Sequence, residues 1–245
     1  MKTSEELLVR IIHFLAERYK TGLALEGGML LRLLNCPRST QDVDYILLSS
    51  ESKKILAKHI KGVLGRMRGI KIDSVNLNSR GIFIDVSTAD DSQIKAKIEI
   101  DVRPALNLPI ESLSTSTLAG RYSLGGRIVS TIAMAEAFAN KIAAALERDS
   151  VRDLYDLSQF EPLCIYDEAT LERRLENLSV DRKKPAGISL EKAAELLRIK
   201  GARLTEKVLM RELYPLLPVE QRKGTLLLIK SSLGRLASRL IGSKY

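Results

Sequence analysis

Around Thr131 the apolar residues of this 245-residue chain settle into a helical period of about 3.6 and keep it to the end. Before that point short β-branched runs alternate with helical ones. Strands turn successive side chains to opposite faces, whereas helices gather every third or fourth residue on one face. The chain is therefore expected to hold an α/β (α+β) unit over residues 1–130 and an all-helical unit over residues 131–245.

In the first part, Leu7, Leu8, Ile11, Ile12 and Leu15 line one face of a helix expected over 4–20, with Gly22 as its stop. A short apolar segment at Leu23 to Leu25, the pair Gly27-Gly28 and a short helix from Met29 to Leu34 follow. Residues 43–48 read as a buried strand and residues 51–68 as a helix. Three β-branched runs, at 71–77, 81–87 and 93–102, predict a strand meander; Asn78 to Gly81 and Ala89 to Ser92 supply its turns. A polar stretch at 112–117 leads to a last short strand near 122–129. Helices are expected at 131–147, 151–160, 168–178, 190–199, 206–213 and 226–240, with a Pro- and Gly-bearing loop at 182–187.

A hydrophobic content of 45% suffices for a real core. No apolar run approaches the roughly 20 residues that span a bilayer, and the acidic N-terminal segment lacks the apolar stretch of a signal peptide, so a cytoplasmic protein without a membrane partner is expected. Cys36 and Cys164 lack metal or disulfide spacing and read as small buried apolar residues. His13 and His59 are isolated on helical segments and read as packing or surface residues. Residues 181–245 hold 15 Lys and Arg against 6 Asp and Glu, while the preceding 180 residues hold 24 of each. That imbalance suggests a polyanionic partner, RNA before membrane, against the plainer reading of basic surface helices that keep the chain soluble.

Three constellations carry chemistry. Gly27-Gly28 is followed, after thirteen intervening residues, by Asp42-Val43-Asp44 at a strand start. Two carboxylates at i and i+2 of a strand share a face and repel unless a cation neutralises them, and hard Mg²⁺ takes such oxygens together with phosphates. The glycine pair offers backbone N–H groups to a phosphate. The second is Lys97-Ile98-Glu99-Ile100-Asp101-Val102, where alternation puts Lys97, Glu99 and Asp101 on one face. Beside the first strand it would add a third carboxylate, as two-metal phosphoryl transfer requires; alone, it is a solvated face with an internal Lys–Glu pair. The third is Lys141 in an Ala-rich helix, then Arg152-Asp153-Leu154-Tyr155-Asp156-Leu157, whose acids share a face. Alone, these are ordinary helix-surface ion pairs.

Taken in order, these residues resemble the AbiEii-type nucleotidyltransferase toxins, a group that includes the MenT-like tRNA-modifying enzymes. The family's glycine and R-x-S/T-x-D-x-D motif matches Gly28, Arg38, Thr40, Asp42 and Asp44; its K-x-E/D strand matches Lys97 and Glu99; its K-x-x-A helix matches Lys141 to Ala144; its R-D-x-x-D-L matches Arg152 to Leu157. Met29 stands where the family usually has Ser or Thr, which leaves only a backbone donor there.

The resemblance implies a polymerase-β-type core with a mixed sheet, and transfer of a nucleoside monophosphate from a nucleoside triphosphate to a hydroxyl, as the toxin of a toxin–antitoxin pair. It implies two Mg²⁺ ions on Asp42, Asp44 and either Glu99 or Asp101, and phosphates near Gly27, Gly28, Met29, Arg38, Thr40 and Lys97. Lys141 would neutralise phosphate charge, and Asp153 or Asp156 would orient Lys141 or the acceptor. The implied acceptor is RNA, often the tRNA 3′ end, held by the basic C-terminal helices, with an antitoxin protein as partner. Transfer to a protein or small molecule, and an inactive RNA-binding module, are the alternatives.

Overall fold

Helix α1 (Ser4–Arg18) starts where the Thr3 hydroxyl accepts a hydrogen bond from the Glu6 amide, and Glu5 and Glu6 place negative charge at its positive end. Its buried Leu7, Leu8, Ile11, Ile12 and Leu15 each contribute about 1.5–3 kcal/mol of burial. The computed structural model describes residues 1–20, 22–104, 108–163, 167–178 and 187–242. They divide into two compact units, Met1–Asn35 with Ser39–Ala133, and Cys36–Arg38 with Met134–Tyr245. Cys164, and the loop expected at 182–187 apart from Gly187, lie outside the described residues.

The first unit is built on a seven-stranded mixed sheet in the order β3-β4-β5-β2-β1-β7-β6. Its strands are β1 (Leu23–Glu26), β2 (Asp42–Leu48), β3 (Ile70–Leu77), β4 (Ile82–Thr88), β5 (Lys95–Arg103), β6 (Ile110–Ser114) and β7 (Ile128–Ile132). β2 runs parallel to β5 and β1 parallel to β7; the other neighbours are antiparallel. Three further helices complete the unit, α2 (Gly27–Leu33), α3 (Lys53–Leu64) and α4 (Ser116–Gly120). The core joins the apolar face of α1 and Leu56, Ile60 and Leu64 of α3 to Val43, Tyr45, Ile84, Val86, Ile98 and Ile100 of the strands. Because side chains alternate, burying Val43 and Tyr45 commits Asp42 and Asp44 to the opposite face.

Some boundaries differ from those expected, each for a local reason. α3 begins at Lys53 because the Ser52 hydroxyl caps the Ile55 amide, and Gly65 ends it before Arg68. β6 and α4 replace the polar stretch. The strand expected at 122–129 lies instead at β7, since Ser123 has a positive φ and Gly125-Gly126 interrupt the alternation. Thr131 and Ile132 belong to that strand, paired with Glu111 and Ile110, so the following helix starts later than periodicity alone suggested.

That helix, α5 (Met134–Glu147), opens the second unit, followed by α6 (Val151–Phe160), α7 (Glu168–Leu175), α8 (Leu190–Arg203), α9 (Glu206–Glu212) and α10 (Thr225–Gly242). Side-chain caps from Asp167 and Ser189 start α7 and α8. Phe138 and Phe160 pack at 6.1 Å between ring centroids, with Ile142, Leu157, Leu171, Leu197, Leu233 and Leu236 also buried. No helix among the described residues is long and apolar enough to cross a membrane.

Counted by unit, the basic excess is shared. The helical unit holds 21 Lys and Arg against 16 Asp and Glu, because the stretch from α5 to α7 is acidic. It supplies partners to the basic C-terminal segment: Asp149 to Lys200, and buried Glu161 to Arg235 and Arg239.

Candidate active site

The parallel pairing of β2 with β5 sets Asp44 directly beside Glu99 and Asp42 beside Lys97. On its other side Asp44 lies opposite Glu26 of β1. Paired residues on adjacent strands are about 5 Å apart at the backbone, so three carboxyl-bearing residues from three strands stand at one level of the sheet. Asp101 is two positions further along β5, level with Ile46, and its carboxylate receives the Arg103 guanidinium at 2.7 Å.

The glycine pair is shaped around Asp44. Gly27 has φ 69°, in the left-handed region, and a Cβ at that position would stand 1.9 Å from Oδ2 of Asp44. A side chain there would meet both backbone strain and the carboxylate. Gly27→Ala is expected to destabilise the protein by about 2 kcal/mol or more, read as a lower urea midpoint; an unchanged midpoint would overturn this account of the turn. Gly28 and Met29 are buried, and the Met29 side chain lies in the core, so a ligand at the turn meets only its backbone. Arg32 of α2 is clamped by Glu5 of α1 through bonds of 2.6 and 2.9 Å, and Tyr122 donates to the same carboxylate at 2.5 Å. Burial pushes the Glu5 carboxyl up, but the bonds from Arg32 and Tyr122 outweigh it and hold it below its ordinary value. This clamp ties the helix that follows the glycines to α1.

Thr40 sits at the entrance to β2, its hydroxyl 3.3 Å from both the amide nitrogen and the carbonyl oxygen of Asp42. Thr40 thus fixes the backbone that presents Asp42. Lys97 bonds to Glu99 at 2.6 Å and lies 5.2 Å from the centre of the Phe83 ring. The bond from Glu99 raises the Lys97 pKa against partial burial, and the charges of Asp42 and Asp85 add to the effect. Asp85 lies opposite Lys97 on β4, and Ser74 of β3 lies opposite Asp85 and donates to it at 2.5 Å. A cavity of about 530 Å³ opens along this row, lined by Asp42, Asp73, Asp85, Ser87, Lys95 and Lys97.

Neither Glu26 nor Asp85 is in the motif set. Glu26 is adjacent to the glycine pair, which is a signal in itself, but the place of Asp85 depends on the β4–β5 register, which spacing does not reveal.

In the helical unit, Asp156 is 1% exposed and receives Arg38 in a two-pronged pair at 2.7 and 2.9 Å, and the Lys141 ammonium at 2.8 Å. Asp153 stands 4.0 Å from both Lys141 and Arg148. Burial raises the Asp156 pKa, but the charges of Lys141 and Arg38 prevail and hold it below the usual carboxylate range. Arg38 and Lys141 are therefore gathered around a buried acid.

A divalent cation would find suitable chemistry on the first unit: carboxylate oxygens of Asp42, Asp44 and Glu99 on one face, with the Asp44 carboxylate seated where Gly27 has no side chain. As placed, no three His, Cys, Asp or Glu side chains among the described residues enclose an ion. Glu99 is drawn to Lys97.

Among solved structures, the chain is similar to JHP933 from Helicobacter pylori, with 17% identity and a TM-score of 0.58 over 98% of this chain and 93% of that one. It is likewise similar to MenT4, a nucleotidyltransferase toxin from Mycobacterium tuberculosis, with 21% identity and a TM-score of 0.58 over 97% of this chain and 83% of that one. At such identities the likeness is one of fold. No curated protein matches significantly. The family model for the nucleotidyl transferase AbiEii toxin of type IV toxin–antitoxin systems matches residues 11–221, and with it the order of motifs finds its explanation: this chain belongs to the AbiEii family and is a nucleotidyltransferase.

Proposed function

We propose that the chain moves a nucleoside monophosphate from a nucleoside triphosphate to a hydroxyl of RNA, with Mg²⁺ held by Asp42, Asp44 and Glu99. The observation that carries this reading is the row of acids beside the glycine turn, Asp44 between Glu26 and Glu99 with its carboxylate packed where Gly27 has no side chain. The register supports Glu99 over Asp101 as third ligand, since Asp101 lies a level away and pairs with Arg103. When bound, the metal would lower the pKa of the attacking hydroxyl and balance charge on the triphosphate. The hydroxyl oxygen attacks the α-phosphorus, the bond to the bridging oxygen of the β-phosphate breaks, and pyrophosphate leaves.

The residues of the chain serve positioning. Thr40 fixes the peptide of Asp42, and Gly27 and Gly28 allow a phosphate to approach the backbone. In the helical unit we assign phosphate handling to Lys141 and Arg38, both oriented by Asp156; Asp153, further from Lys141, contributes charge. The acceptor follows from the family and from the basic segment 181–245, although the acidic helices of its own unit offset part of that charge. Membership in a toxin–antitoxin family also implies an antitoxin that restrains the activity.

Incubation with each α-labelled nucleoside triphosphate, Mg²⁺ and a pool of RNA, protein and small metabolites tests the whole reading. Label is expected in the RNA fraction. Label in protein or metabolite would replace the acceptor, and no transfer with any divalent ion would overturn the proposed activity.

A further inference from the structure

Lys97 stands between two sets of acids. Its ammonium is bonded to Glu99 and leans toward Phe83, the residue opposite Glu99 on β4. At its own level of the sheet it is flanked by Asp42 on one side and Asp85 on the other. Asp85 is held in place by Ser74 on the outer strand, and it borders the same cavity as Lys97, so the flexible lysine stem has room to move between the two levels. Asp42 and Glu99 belong to the cation site proposed above; Asp85 does not.

We propose that Asp85 is a positioning residue that receives the Lys97 ammonium when Glu99 is released to serve the metal, and so sets how tightly the site holds a divalent cation. The physical reason is charge balance. Lys97 is the counter-ion of Glu99 in a row where carboxylates crowd one face of the sheet. An ammonium left at Glu99 would repel an incoming dication, so Lys97 must leave, and a carboxylate across the strand gives it a place to go. Mixed acidic and basic side chains in the cavity follow from the same requirement.

This inference rests on the metal reading of Asp42, Asp44 and Glu99, and the experiment separates the two. Mn²⁺ alone is titrated against the full-length protein, with free Mn²⁺ followed by electron paramagnetic resonance. Asp42→Ala is the control: if it binds Mn²⁺ as the parent does, or if the parent binds none, the metal reading falls and takes the inference with it. Given that control, Asp85→Asn is expected to weaken Mn²⁺ binding about fivefold, because the ammonium then stays at Glu99, and Lys97→Met to tighten it about tenfold, as removal of a positive charge a few ångströms away at a half-exposed site would do. The deciding comparison is the double variant. In the Lys97→Met background Asp85→Asn should change Mn²⁺ binding by less than about twofold, because the ammonium it would receive is gone. An equal or larger loss in that background would show Asp85 to be a remote negative charge and overturn the proposal, as would no loss in the single variant. The Mg²⁺ concentration for half-maximal transfer should rise in Asp85→Asn in proportion to the Mn²⁺ result.

Discussion

Asp42→Ala is expected to lower nucleotidyl transfer by about a thousandfold or more, with melting close to that of the parent. The effect should fall on kcat, because in the proposed mechanism the carboxylate holds the metal that balances charge developing in the transition state, and catalysis of this type is positioning and electrostatics. The fold tolerates the change because Asp42 is only partly buried, at the end of a strand whose core contacts come from Val43 and Tyr45, so stability should move by less than about 1 kcal/mol. Asp101→Ala is the internal comparison. Its carboxylate faces Arg103 one level away, and its loss should cost about tenfold or less in rate. Paired measurements of turnover and thermal melting decide the matter: an active Asp42→Ala enzyme, or an Asp101 variant as dead as it, would displace the proposed ligand set.

The second large effect is on stability. Asp156→Ala should destabilise the protein by about 3–5 kcal/mol, because it leaves the Arg38 and Lys141 cations without the buried carboxylate that both engage. Asp156→Asn should recover part of this, since an amide oxygen still accepts one hydrogen bond. The pH dependence carries the same signature. The folded pKa of Asp156 lies below its unfolded value, through burial outweighed by Lys141 and Arg38. Its stabilising contribution is therefore complete above about pH 4, the unfolded carboxylate value, and is lost as pH falls through the lower folded value. Urea unfolding at a series of pH values should show this acid-side loss in the parent and a flatter profile in Asp156→Asn. Identical slopes in the two proteins would mean that the Asp156 pKa does not change on folding, and would overturn this account.

Local chemistry made much of this fold legible. The alternation in Val43, Tyr45 and Leu47 and in Ile98 and Ile100 separates core from site on both central strands, and α6 runs over the residues its periodicity marks. The mixed sheet and the family expected from the ordered motifs are borne out. What spacing does not contain is register. That β2 pairs with β5 in parallel, which sets Glu99 rather than Asp101 beside Asp44, depends on packing across the whole sheet. The same holds for Asp85, which reads as one polar residue of an alternating strand until Lys97 is found opposite. β6 escaped notice because an edge strand exposed on most of its length has no apolar alternation to display. The charge excess depends on where it is counted: a window of 65 residues leaves out the acidic helices that share its unit.

The parallel pairing of β2 and β5 also sets when the proposed site can assemble during synthesis. Asp44 and Glu99 are 55 residues apart, and closing so long a loop awaits synthesis of both intervening hairpin strands. A polypeptide still emerging from the ribosome, ended between Leu48 and Lys95, carries both aspartates of β2 and no Glu99. On the proposed ligand set, such a chain lacks the third carboxylate, and the site can be completed only once the fifth strand has docked.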